Sequence, residues 1–299
     1  MYTRWLLRQI VTPSALMYAM LGFVGGLLWL SLTARAPVLA RPTLGEAPRP
    51  LTVPASGRVT LQESIDAVRA FAGQPSLVLE GGLQTEGEDG GRGDLYYLES
   101  VSPTRGEDFF KVDARTAEVI EATFRGRMAP AEGAVDLKLA DAEVLARRFA
   151  RTHFWRFDQL ALVDRSSRTS DTGTVYSFKW SQIAPESSAE LPVSVSLAVM
   201  ARSGEVSWYL GQRDQLHVDT RPAIEKARAV EIVRTWLLPR DERWDLDRPI
   251  SIRLQVLYDD DDQQRLVWSV LLRARDDGPR ASIRLLVDAQ NGQLIQGGS

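Results

Sequence analysis

Val287-Asp288-Ala289-Gln290-Asn291-Gly292-Gln293-Leu294 is the stretch whose reading decides the fold. Asn291-Gly292 is a favoured tight-turn pair, because both residues tolerate φ > 0 at little steric cost. Upstream, Ile283, Leu285 and Val287 recur at period two, the signature of a strand with one buried face. The stretch therefore predicts two antiparallel strands joined by a short turn.

Working outward, the same pattern occurs twice more. Val112-Asp113-Ala114-Arg115-Thr116-Ala117-Glu118-Val119 and Val199-Met200-Ala201-Arg202-Ser203-Gly204-Glu205-Val206 align with it without gaps. Val112 and Val199 lie 87 positions apart, Val199 and Val287 88, and a shared pattern at near-equal spacing marks an internal repeat. Gly204 holds the turn position of Gly292. Ala117 is the weak member, since alanine disfavours φ > 0.

A helix is expected ahead of each hairpin. Thr60 and Glu63 form a capping box before the apolar side Leu61, Ile65, Val68 and Phe71 or Ala72. Asp141 can cap a second helix striped by Ala142, Leu145 and Phe149. A third, after Pro222, carries Ala223, Ala227, Val230, Val233 and Leu237. Alternating runs follow, among them Val193, Val195, Leu197 and Val199, and Ile250, Ile252, Leu254 and Val256. Tyr96, Leu98, Phe178, Trp180 and Trp268 add aromatic and apolar mass to the middle strands. The predicted class is α+β: repeated units of one helix packed on an antiparallel sheet, at 57–132, 133–219 and 220–299.

No charged residue occurs from Ile10 to Ala34, a stretch longer than the roughly 20 residues needed to cross a hydrocarbon core. Residues 10–34 are therefore expected to form a transmembrane helix in the lipid bilayer, with Trp5 and Trp29 near its ends. Arg4 and Arg8 place the short 1–9 segment in the cytoplasm and the rest of the chain outside it. A cleaved signal peptide is the rival reading, since Ala34-Arg35-Ala36 has the small-x-small form of a cleavage site. Pro37 and the length of the apolar run argue against it. Gly22 and Gly26 make a G-x-x-x-G pair that would allow a homodimer through that face. Pro37, Pro42, Pro48, Pro50 and Pro54 make 35–56 a semi-rigid linker.

The hairpin pattern hydrophobic-Asp-Ala-x-x-Gly-x-Val/Leu, preceded by an amphipathic helix, resembles the PepSY domain. Residues 287–294 match it best, 112–119 depart at Ala117, and 199–206 carry Met200 in place of the aspartate. Tandem copies behind an anchor resemble the extracytoplasmic parts of YpeB-related proteins. The resemblance implies a regulatory module that binds or restrains peptidases at the cell envelope. It carries over no catalytic residue.

The search for chemistry returns little. A chain of 299 residues without cysteine has no disulfide framework, thiolate metal site or cysteine nucleophile. A net charge of -3 without a dense basic stripe gives no footprint for nucleic acid. No H-E-x-x-H, G-x-S-x-G or P-loop occurs. His153 and His217 lack ligand-like spacing and read as surface or capped histidines. Asp259 to Asp262 reads as a solvated hairpin tip rather than a calcium loop. The Glu86–Asp94 stretch, with its Arg92-Gly93-Asp94, reads as a loop between strands. Trp155, Trp180, Trp208, Trp236, Trp244 and Trp268 are core candidates, some of which could line a peptide groove. No catalytic, cofactor-binding or metal residue is assigned. The functional expectation is a non-enzymatic binding or regulatory protein with a protein or peptide partner, taken by strand addition to an open sheet edge. A structural spacer or assembly subunit is the alternative, and a hydrolase with an unrecognised carboxylate site the remoter one.

Overall fold

The computed structural model describes residues 57–84, 93–101, 107–127, 136–170, 173–239, 243–259, 263–275 and 282–295. Residues 10–34, the linker 35–56, and Gly22 and Gly26 lie outside them. The described helices are α1 (Leu61–Ala72), α2 (Leu139–His153) and α3 (Lys226–Leu237). The strands are β1 (Leu79–Gln84), β2 (Leu95–Ser100), β3 (Phe109–Asp113), β4 (Val119–Thr123), β5 (Ala161–Ser170), β6 (Gly173–Ile183), β7 (Glu190–Met200), β8 (Val206–Arg213), β9 (Ser251–Tyr258), β10 (Gln264–Arg273), β11 (Ser282–Asp288) and β12 (Leu294–Ile295).

The sequence-based expectation of three repeated helix-on-antiparallel-sheet units is corrected here, while the transmembrane helix expected over residues 10–34 lies outside the described residues. No described helix is long and apolar enough to cross a membrane. The strands join in one mixed sheet of 12, in the order β1-β2-β3-β4-β8-β7-β9-β10-β11-β12, with β6 pairing β5 and β7. The physical reason lies in the strand edges. A hairpin closed on itself leaves a row of backbone N–H and C=O groups unpaired along its outer side, and burying those groups unpaired is costly. The edges are therefore shared: β4 pairs β8 through Glu121↔Leu210, Ala122↔Tyr209 and Thr123↔Trp208, and β7 meets β9 in parallel at Glu190↔Gln255.

The described residues form two compact units, one from 57–180 and 194–212, the other from 181–193 and 213–295. In the first, α1 starts at a capping box, Glu63 N donating to Thr60 Oγ1 at 3.2 Å and Thr60 N to Glu63 Oε2 at 2.6 Å. It ends at Gly73, whose φ of 66° reverses the chain as an αL cap does. Its buried face brings Phe71 to Phe124, Phe149 and Tyr209, with ring centroids 6.2, 5.5 and 5.0 Å away. In α2 the fully buried residues are Ala142, Ala146 and Ala150, one per turn, while Leu145 and Phe149 are half-buried on its flank. Asp141 lies in its first turn, and Lys138 holds the cap position without a side-chain bond.

In the second unit α3 buries Ala229, Val233 and Leu237 against β10 and β11. Ala223 and Ala227 are exposed, so the inward stripe is offset from the one expected. Trp244, Leu246, Val270, Leu272, Leu285 and Val287 complete that core. A second cluster holds Ala184, Ala189, Leu254, Val256, Leu266 and Ala289, with Leu191 and Val218 against it.

Candidate binding cleft

The third hairpin is built by short-range bonds. Asp288 N donates to Gln293 O and Gly292 N to Asp288 O, with Gly292 at φ 76°. The Asp288 carboxylate caps the turn, its Oδ1 accepting from Gln290 N at 2.8 Å and Asn291 N at 3.1 Å. Asn291 Oδ1 accepts from Gln293 N. The hairpin is then tied to its helix. Ile224, just ahead of α3, donates its N–H to Ala289 O, and Trp268 Nε1 of β10 donates to Ile224 O at 2.7 Å. Ala289 N donates to Leu266 O.

This clamp recurs at both other hairpins. Val59 N donates to Ala114 O and Leu137 N to Ala201 O. Tyr96 and Tyr176 stand where Trp268 does, donating their hydroxyls to Val59 O at 2.7 Å and Leu137 O at 2.9 Å. Ala114 N and Ala201 N donate to Asp94 O and Thr174 O. Asp113 Oδ1 caps its turn through Arg115 N and Thr116 N. Met200 cannot cap and is buried instead, leaving Ser203 Oγ to accept from Glu205 N. The motif aspartate is thus a turn-former, and its replacement is tolerated where a neighbouring hydroxyl supplies part of the cap.

Beside the third clamp lies a cleft of about 340 Å³, whose lining includes the apolar Val218 and Leu266. Arg265 lines it and spans two carboxylates: Nε donates to Asp259 Oδ2 at 2.5 Å, and Nη1 faces Asp288 Oδ2 at 3.3 Å. The hydrogen bond to Asp259 comes first, then Asp288, in raising the guanidinium's pKa. Gln264 also lines it and ties in residues 215–217, accepting from His217 N at 2.7 Å and donating to Gln215 O and the Tyr258 hydroxyl. Gln290 Nε2 donates to Arg221 O, and Asp219 Oδ1 accepts from Arg221 N. Arg221 itself pairs with Glu186. The cleft is thus a recess with braced walls and a mixed apolar and polar lining, in which the Arg265 charge is already matched and the Asp219 carboxylate makes no ion pair among the described residues.

The other titratable cluster is inside the first unit. His153 packs its ring on Phe71 and Phe149, at centroid distances of 4.5 and 4.3 Å. Burial first, and the Arg127 charge second, push its pKa from 6.5 down to about 4. Arg127 donates to Ala72 O at the end of α1 and lies 3.9 Å over the Phe124 ring. Burial raises the pKa of Asp108, which accepts from Gly126 N at 3.2 Å.

The residues singled out in the sequence fall as follows. His153 and His217 belong to different units. His217 is exposed and enters the cleft wall through its backbone. Asp259 is the Arg265 partner, while 260–262 lie outside the described residues. Arg92 lies outside them too, and Asp94 pairs with Arg58. Among the described residues no group of three or more histidine, aspartate and glutamate side chains could hold a metal ion. Trp180 is fully buried and Trp244 nearly so, Trp208, Trp236 and Trp268 are half-buried, and Trp155 is exposed with the Arg156 guanidinium 4.0 Å over its ring. Arg265, Gln264, Gln290 and Asp219 were not visible as a site in sequence. The only local signal was Asp288 with its turn neighbour Gln290; Arg265 lies 23 positions upstream, and Gln264 and Asp219 lie further still.

The structure is similar to that of the Bacillus megaterium YpeB C-terminal domain, with 17% sequence identity, a TM-score of 0.47, and coverage of 81% of this chain and 99% of that one. No family model and no curated protein matches the chain.

Proposed function

We propose that this protein is a PepSY-like, non-enzymatic binding and regulatory module of the cell envelope, its folded part outside the cytoplasm, where it engages or restrains a peptidase or another envelope protein. The observation that carries the reading is the cleft between residues 218–219 and the 288–290 turn. Its walls are cross-braced by side-chain-to-backbone hydrogen bonds, so the recess is preorganised and a ligand need not order it on binding. Its open polar groups suit the backbone and side chains of a peptide segment. The PepSY part of the proposal rests on the hairpin residues 287–294, whose motif positions each have a bonding role in the turn and the clamp.

A photo-crosslinking amino acid placed at Gln290 in the full-length protein tests this in cells. The expected result is one dominant envelope protein captured, lost when Asp219→Arg is added, with its activity altered by the purified protein. Capture of nothing but the protein itself, or of the same set with and without Asp219→Arg, overturns the assignment.

A further inference from the structure

The cleft beside the third clamp selects among the groups that a partner protein could place in it. Among the described residues that line it, Arg265 carries the one positive charge, and Asp219 and Asp288 carry negative ones. Arg265 is engaged by Asp288 and, behind it, by Asp259, so three carboxylates stand against one guanidinium. Arg221, two positions after Asp219, adds nothing to this balance, because its guanidinium goes to Glu186, Nε donating to Oε2 at 2.9 Å. A carboxylate or phosphate brought to Arg265 would therefore meet two carboxylates already in place, and like charges at short range in a partly enclosed recess repel. The charge of the recess suits a cation.

Its open acceptors narrow the choice further. Arg221 N donates to Asp219 Oδ1 at 2.9 Å, and Asp219 Oδ2 takes no hydrogen bond among the described residues. Gln290 Nε2 donates to Arg221 O at 2.9 Å, and Gln290 Oε1 likewise takes none among them. Both side chains are thus anchored on the backbone of one residue, Asp219 at its N–H and Gln290 at its C=O, and both line the cleft. A guanidinium is best met by both oxygens of one carboxylate, and here Oδ1 is already occupied. An ammonium takes single acceptors in separate directions, and its flexible four-carbon stem covers apolar surface. Buried Leu266 and half-buried Val218 supply that surface beside the acceptors. The volume of the cleft equals that of about ten waters, which suits one long side chain with part of the backbone that carries it.

We propose that the cleft takes a lysine side chain of the partner protein, its ammonium on Asp219 Oδ2 and Gln290 Oε1 and its stem against Val218 and Leu266. The assignment rests on the reading of this cleft as a protein-binding site. Asp219 is exposed, so the ion pair alone adds little, and the stem contact acts with it.

Saturation-transfer NMR on the full chain, with acetyl-alanyl-lysyl-alanine amide as the probe, suits so weak a contact. The lysine side-chain protons are expected to receive the strongest transfer. Nε-acetyl-lysine or arginine in place of the lysine should raise the Kd at least fivefold. Asp219→Asn keeps Oδ1 for Arg221 N and should remove the preference for lysine. No transfer to the lysine peptide, equal Kd for the three peptides, or a preference that survives Asp219→Asn overturns the proposal. Capture from Gln290 in cells separates this from the wider reading: it persists when only the lysine assignment is wrong, and disappears when the cleft is not a binding surface.

Discussion

His153 should make the first unit acid-sensitive in a way that can be assigned to one side chain. Its imidazole packs against both Phe71 and Phe149, and burial with the nearby Arg127 charge lowers its pKa from 6.5 to about 4. In the unfolded chain the ring protonates near its ordinary value. Between those two values the unfolded state binds a proton that the native state refuses. Stability therefore rises with pH across this window and is lost as pH falls from about 6.5 to about 4. At about 1.4 kcal/mol per pH unit the loss amounts to about 3 kcal/mol, a large share of the stability of a typical domain. Asp108 works in the opposite sense, because burial raises its pKa and the native state takes up its proton first, which adds stability as the pH falls. Comparison with His153→Phe removes that contribution, since the variant keeps the carboxylate and the aromatic packing but cannot protonate. Urea unfolding of both proteins at intervals from pH 7 to pH 4 gives the difference. The expected outcome is that the native protein loses about 3 kcal/mol more than His153→Phe over this range. Parallel profiles would refute the buried, neutral histidine, as would an imidazole resonance for His153 that titrates near its unperturbed pKa by NMR.

Three further outcomes follow from the clamps and turns. Removing one donor from each clamp, by Tyr96→Phe or Tyr176→Phe, should cost about 1 kcal/mol in chemical unfolding, and Trp268→Phe about 2 because it also removes volume from a packed site. Equal stability of all three variants and the native protein would remove the clamp as a stabilising device. Ala117→Gly should raise stability by about 1 kcal/mol, since alanine is held at φ 56°, whereas Gly204→Ala should lower it by about 2, because its Cβ meets both an unfavourable φ of 69° and the side-chain tips of Leu137 and Leu145 at 3.0 and 3.1 Å. Gly81→Ala should loosen the β1–β2 ladder, seen as faster amide exchange in β1, because the added Cβ would sit 1.9 Å from Tyr97 O; unchanged exchange would contradict that close approach.

What the sequence made legible was local, and the reason is physical. Gly292, Gly204 and the reluctant Ala117 mark their turns because positive φ is a property of single residues. Thr60 and Glu63 mark the start of α1 because a capping box closes within four positions. The face of α2 was harder to read, since three alanines carry little hydrophobic signal yet allow close approach, and the larger Leu145 and Phe149 drew attention to its flank. The cleft was not legible at all. Arg265 finds Asp259 only because β9 and β10 pair, and Asp288 only because β10 and β11 do.

The same distinction explains why a pattern repeated three times does not build three separate units. Each hairpin, helix lead-in and aromatic donor satisfies its own backbone groups, and those bonds are written in residues close together in sequence or fixed by a single strand pairing. A strand's outer edge is different, because its hydrogen-bonding groups are the same whatever the side chains. Which edge meets which is decided by what else is available to pair, here β4 with β8 and β7 with β9. Side chains act on that choice mainly by excluding partners, through like charges placed opposite or bulk in the wrong register.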